Sequence, residues 1–237
     1  MKKILLSLPQ TEWSCFLASH TQGVMRKFVD GPVSFDLLEK NVMDSLTFPH
    51  VVGVHSCVEM CSLNQPYDMV VNFDTDPMLA EYFSSKYENV VNMQAAIYGN
   101  ENKSIWSSIS DTFQVQCEFP IFQFSFLNKT RNNRSESGVA IKNDSLRMHI
   151  KNAFFADDNR LWHIPVRINL IKRYDECNTT KNIVTDDIFC ALSACHMGKD
   201  VIFLKTNSAV PNIAVANKIH VQNVDNFINA TYTKKTS

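Results

Sequence analysis

The stretch Asn182–Pro211 holds the densest group of residues able to do chemistry. Ile183 and Val184 close a short apolar run, Thr185-Asp186-Asp187 is a polar turn, and Ile188 to Met197 repeats apolar residues at helical spacing. Gly198 stops that helix where a positive φ is wanted, and Val201–Leu204 is an apolar run of strand length. Strand, acidic turn, helix, glycine, strand is a βαβ unit. In open α/β sheets, ligands settle at the carboxyl ends of the strands, beside helix N-termini. Asp186 and Asp187 fall there. Their carboxylates can hold hydroxyls, and the first amides of the helix, those of Ile188 and Phe189, can meet a phosphate. N-capping alone is the competing explanation, because Asp ranks among the best caps. Lys205, followed by Thr206-Asn207-Ser208, comes after the next strand and can line the same place.

Other reactive residue types are less organised. His55, Cys57 and Cys61, and again Cys190, Cys195 and His196, are ligand types without zinc-knuckle spacing. On helices the paired cysteines read more simply as small buried residues. No Walker-type or G-x-G-x-x-G loop is present. Lys and Arg number 23 against 24 Asp and Glu, so the charge balance implies no nucleic-acid groove. Sixteen Phe and only six Gly describe a packed globular chain. Seven Cys, an odd number without regular spacing, argue against a disulfide framework and for a reducing compartment. The opening MKKILL imitates a leader, but its apolar run ends at Ser7-Leu8-Pro9 without a small-residue cleavage site. No stretch reaches transmembrane length. The expectation is a cytoplasmic protein, with peripheral membrane contact left open.

The elements that must position these residues alternate. Lys3–Leu8 reads as a strand, with Pro9-Gln10-Thr11-Glu12 leaving its carboxyl end and a helix over Trp13–Phe28. Ser34–Met43 reads as a short helix capped by Ser34, Val51–Val54 as a strand and His55–Leu63 as a helix. Tyr67–Phe73 is the strongest strand of the first half; Asp76 and Pro77 then cap and open the helix Met78–Tyr87, and Val90–Met93 is again β. Lys129–Ser137, devoid of apolar residues, reads as a linker. Beyond it, Gly138–Ile141 is a strand, Asn143–Arg147 a loop, His149–Leu161 a helix, Ile164–Ile171 a strand and Tyr174–Asn182 largely loop. A last helix covers Val224–Tyr232. The pattern predicts an α/β chain of two Rossmann-like lobes facing a cleft, residues 1–130 and 131–237, with the second lobe trimmed.

Two stretches carry a family resemblance, VTDDIFCALSACHMGKDVIFL from Val184 and YDMVVNFD from Tyr67. The first resembles the sugar-nucleotide half, and the second the acceptor half, of the ADP-heptose–lipopolysaccharide heptosyltransferases, glycosyltransferase family 9. The resemblance implies the GT-B fold and metal-independent, inverting transfer of a sugar, heptose in the family, to a hydroxyl of lipopolysaccharide or another glycan. No cofactor is implied beyond a nucleotide-diphosphate sugar as substrate. Glu12 falls where the family has its base in the loop after the first strand, and a carboxylate there can take the acceptor proton. Arg147 falls near a family Lys that steadies the diphosphate leaving group, with Lys142 a second candidate in the same segment. Asp186 matches the family's strand-ending Asp, while Ile188 and Ala191 stand where the family has Gly and His. A macrodipole-favoured Glu at a helix start and a surface Arg are the plainer readings of Glu12 and Arg147. The alternative function is a GT-B-like module that binds a nucleotide sugar or a protein partner without turnover. A third reading is an unrelated α/β protein.

Overall fold

The computed structural model describes residues 1–38, 46–47, 51–56, 59, 66–99, 102–117, 120, 122, 125–126, 135–154, 161–206, 210–215 and 218–235. The chain divides into two compact units, Met1–Leu127 and Asn128–Ser237. Most of the linker read over Lys129–Ser137 lies outside the described residues; its last three residues already belong to a strand.

The first unit is built on a parallel sheet of β1 (Lys2–Ser7), β2 (Val33–Leu38), β4 (Val51–His55), β5 (Met69–Asn72) and β6 (Val90–Asn92), in the spatial order β4-β2-β1-β5-β6. The continuous run Ile4-Leu5-Leu6 suits a strand covered on both faces, and all three side chains are buried. Helix α1 (Ser14–Phe28) is buried from Ser14 through Met25, including polar Ser14, Ser19, His20, Thr21 and Gln22. The helix α2 (Pro77–Lys86) starts as expected, with Asp76 accepting the Met78 amide and Pro77 in the first turn. Short helices α3 (Gln94–Tyr98) and α4 (Ile105–Thr112) follow β6, and a two-stranded antiparallel pair joins β3 (Leu46–Thr47) to β7 (Ser125–Phe126).

Residues 33–38 correct a reading. The segment read as helix from Ser34 is strand β2 as far as Leu38, and the rest of that helix lies outside the described residues. Asp36 sits buried in mid-strand because Lys3 Nζ (2.9 Å), the Tyr67 hydroxyl (2.8 Å) and His55 Nε2 (3.3 Å) all reach its Oδ2. Burial pushes the Asp36 carboxyl up, but hydrogen bonds from Lys3 and Tyr67, the Lys3 charge and the His55 contact outweigh it and hold the carboxyl below its ordinary value. The Tyr67 hydroxyl is pushed far up, by burial first and then by Asp36. Gly53 makes room for this: a Cβ there would lie 2.7 Å from His55 Nε2. His55 therefore ends β4 rather than opening a helix, and most of the remaining His55–Leu63 segment lies outside the described residues.

The second unit is trimmed, yet it carries its own five-stranded parallel sheet. β8 (Ser135–Ala140), β9 (Leu161–His163), β10 (Thr180–Thr185), β11 (Asp200–Lys205) and β12 (Ile219–Asn223) lie in the order β12-β11-β10-β8-β9. The helices are α5 (Asp144–Phe154), α6 (Leu170–Asn178), α7 (Ile188–His196) and α8 (Val224–Lys235). Val139, Ile141, Leu146, Ile150, Leu204 and Phe227 form the core between sheet, α5 and α8.

Three sequence readings shift here. Asn143–Arg147 is not loop: helix α5 begins at Asp144, with the Asn143 side chain accepting the Leu146 amide. The segment read as strand over Ile164–Ile171 is instead a turn that follows β9, which ends at His163, and then the start of α6. Pro165 cannot donate to a ladder, and Asn169 caps α6 by accepting the Ile171 amide. Tyr174–Asn182 is accordingly the end of α6 and the start of β10.

Candidate functional site

Each sheet has a switch point where the strand order reverses, and its carboxyl-end loops are the usual ligand seat of such folds. In the second unit that point lies between β8 and β10. The loops there are Ile141–Asn143 and Asp186–Asp187, so Lys142, Asp186 and Asp187 come together as their sequence positions imply.

The two aspartates do different work. Asp186 accepts the backbone amides of Lys142 (2.5 Å) and Asn143 (2.9 Å), tying the β8 loop to the end of β10. Burial pushes its carboxyl above the ordinary range; those two amides pull it back, and the Asp187 charge adds to the rise. Asp187 is the N-cap of α7, its Oδ1 accepting the Cys190 amide at 2.8 Å. Its Oδ2 meets Lys142 Nζ at 2.7 Å and Arg173 Nη1 at 3.2 Å. Thr185 completes the turn, with its hydroxyl donating to the Ala140 carbonyl and accepting the Asp187 amide at 2.9 Å.

Arg173 was not singled out in the sequence. It lies on α6, where the sequence pattern suggested strand and then loop, and is buried with Nη2 donating to the Ile168 carbonyl at 3.3 Å. Its guanidinium carbon stands 5.5 Å from the Phe189 ring centroid. The available signal was Asn169 as a cap ahead of Leu170, Tyr174 and Cys177 at helical spacing. Lys142 keeps its side chain 48 % exposed, whereas Asp187 is wholly buried. Asp187 thus faces two cations at the N-terminal end of a helix, beside the second carboxylate, Asp186.

The remaining predicted residues are placed as follows. Arg147 is in the first turn of α5 with its Nη2 2.6 Å from Asp144 Oδ1. Lys205 ends β11, the strand next to β10, and is half-buried. Ile188 opens α7. Cys190 is fully buried, and burial pushes its thiol well up. His196 Nδ1 lies 3.0 Å from the Tyr174 hydroxyl.

In the first unit the switch point lies between β1 and β5. Glu12 is on the turn after β1, half-buried and two residues ahead of α1. Across the same switch point Asp74 follows β5, buried, its amide held by Asn72 Oδ1 at 3.1 Å and its Oδ1 accepting the Asp76 amide at 2.9 Å.

With this geometry in view, comparison with known proteins is informative on fold. No family model matches the sequence, and no match is found among curated proteins. Solved structures do match. The glycosyl transferase family 9 protein from Veillonella parvula DSM 2008 superposes with a TM-score of 0.68 at 9% identity, covering 99% of this chain and 89% of that one. The E. coli ADP-heptose lps heptosyltransferase II gives 0.57 at 10% identity, with 100% of both chains covered. E. coli heptosyltransferase WaaC with ADP-2-deoxy-2-fluoro heptose gives 0.55 at 10% identity, over 99% of this chain and 100% of that one. At these identities the likeness is one of fold. The chain is an α/β protein of two Rossmann-like units, of the kind seen in GT-B glycosyltransferases, and its structural neighbours include the heptosyltransferases. No helix among the described residues is long and apolar enough to cross a membrane.

Proposed function

We propose that the chain transfers a sugar from a nucleotide-diphosphate donor to a hydroxyl acceptor, with the donor's diphosphate seated at the switch point of the second unit. The observation that carries this is the pair of cations, Lys142 and Arg173, around the buried Asp187 at the start of α7. Negative charge grows on a diphosphate as its sugar departs, and a cation already placed there stabilises the transition state more than the ground state. Lys142 is the better candidate for that role, since it stands at the crevice, while Arg147 is engaged with Asp144 on α5. Asp186 shapes the loop, and Lys205 borders it. Glu12 is the candidate base for the acceptor, in an inverting, metal-independent transfer. ADP-heptose is the first donor to assay, because neighbouring structures carry ADP-heptose and heptose analogues in their names. Such a donor, and lipopolysaccharide or another glycan as acceptor, fit a cytoplasmic enzyme working beside a membrane.

A second reading has its own support. Phe189, buried beneath Arg173, and Ile188 make a bulky start to α7. That favours a module that holds a nucleotide diphosphate without turning it over. Thermal unfolding with ADP tests the shared part: saturation at a hundred times the dissociation constant adds about 2.7 kcal/mol of stability. Release of ADP from ADP-heptose in the presence of a glycan acceptor separates the two. No stabilisation by ADP overturns both.

A further inference from the structure

Asp187 has more positive charge around it than one carboxylate needs. Its Oδ2 is shared by Lys142 at 2.7 Å and Arg173 at 3.2 Å, and its Oδ1 caps α7. The two cations differ in freedom. Arg173 is 3 % exposed, with Nη2 on the Ile168 carbonyl and its guanidinium carbon over the Phe189 ring, whereas the Lys142 side chain is 48 % exposed on the loop after β8. Stripping a buried carboxylate of its last counter-ion is strongly unfavourable. If Lys142 were the sole partner of Asp187, reaching for a ligand would strand that charge. With Arg173 in place, Asp187 stays paired whichever way Lys142 turns.

We propose that Arg173 is a positioning residue for donor binding: it is the standing counter-ion of Asp187, and so lets Lys142 exchange Asp187 for a phosphate oxygen of the donor. The inference rests on the reading of this crevice as the diphosphate seat. It assigns Arg173 no contact with the ligand. The trio carries a net positive charge that the neighbouring Asp186 balances, and Lys142 is its exposed member.

The test uses the full chain with ADP as the probe, and compares wild type with Lys142→Met, Arg173→Gln, Arg173→Lys and Asp187→Asn/Arg173→Gln by calorimetric titration. Arg173→Gln should bind ADP about tenfold more weakly or worse, although Lys142 is intact. Arg173→Lys should recover most of that loss. The double variant removes the charge that holds Lys142, and should bind ADP within about threefold of wild type; a structural ion pair would be relieved in the same way, so the discriminating readout is the state of the Lys142 amine. Labelling of the Lys142 amine by an amine-reactive reagent, read by mass spectrometry, should slow in Arg173→Gln. If Arg173→Gln does not fold, Asp187→Asn and Asp187→Asn/Arg173→Gln carry the comparison: they should bind ADP within about threefold of each other, and a tenfold gap overturns the proposal. Wild-type affinity and labelling in Arg173→Gln, with binding lost in Lys142→Met, overturn the role of Arg173 alone. Failure of wild type to bind ADP removes the donor-site reading and this inference with it.

Discussion

Asp187 and Arg173 form an ion pair at 3.2 Å in which neither side chain has appreciable contact with solvent. The pair joins α6 to the start of α7, and Asp187 is at the same time the cap of α7. Removing one member leaves the other charged and buried. Asp187→Ala should therefore destabilise the second unit by about 3–5 kcal/mol, whereas Asp187→Asn, which retains an oxygen for the Cys190 amide, should cost visibly less. Urea unfolding of the two variants against wild type checks the order. Equal losses would mean that the cap oxygen contributes nothing.

Glu12→Gln bears on the chemistry. If Glu12 takes the acceptor proton, the amide should lower turnover by about 10²–10⁴ while leaving ADP affinity unchanged. Single-turnover rates with labelled donor, alongside calorimetry, give both quantities. Wild-type turnover in the variant would release Glu12 from the role.

His20 gives a pH dependence. Its ring is buried on α1, lies edge-on to Trp106 and has Nε2 3.1 Å from the Trp106 carbonyl. Burial lowers its pKa from 6.5 to about 4, against the opposing carbonyl contact and with a small push from Lys27. Between those values the unfolded chain binds the proton and the folded chain does not. Stability should accordingly be full above pH 6.5 and fall as pH drops toward 4, by roughly 3 kcal/mol over the window. His20→Phe keeps the ring packing and should flatten that slope in urea midpoints measured across the window. An unchanged slope would show that His20 is not its source.

Asp36 acts lower on the scale. Its carboxyl is held below its ordinary value in the folded chain, so its contribution is present above that value and disappears as pH falls through the folded one. Asp36→Asn should cost about 2 kcal/mol at neutral pH, moderated because Lys3 is partly exposed, and should cost less at an acid pH below the ordinary carboxylate value. Denaturant titrations at both pH values decide it, and a cost independent of pH would point to packing instead of charge.

Local signals account for what could be read from the chain. Buried apolar runs marked β1, β5, β10 and β11, and Asp76-Pro77 and Gly198 marked helix ends, because each depends only on neighbouring residues. Gly198 does take a positive φ of 78°. Strand β2 was missed because Asp36 is tolerable there only once Lys3, Tyr67 and His55 arrive from elsewhere in the chain. Helix α6 was missed because Arg173 interrupts its apolar face, and the partner that makes that burial possible, Asp187, is fourteen residues on. At the candidate site, the acidic turn was legible as a location. The division of labour between Asp186 and Asp187 was not, since adjacent residues of one type differ only in what the fold brings to them.

The two amides that Asp186 holds have a kinetic consequence. One carboxylate fixes the backbone at both Lys142 and Asn143, so this turn has its shape before anything arrives. On the proposed reading, an incoming diphosphate has little backbone left to order, and its arrival should be set by encounter and shedding of water instead of by a search among loop shapes. The turn is a mould, not a lid.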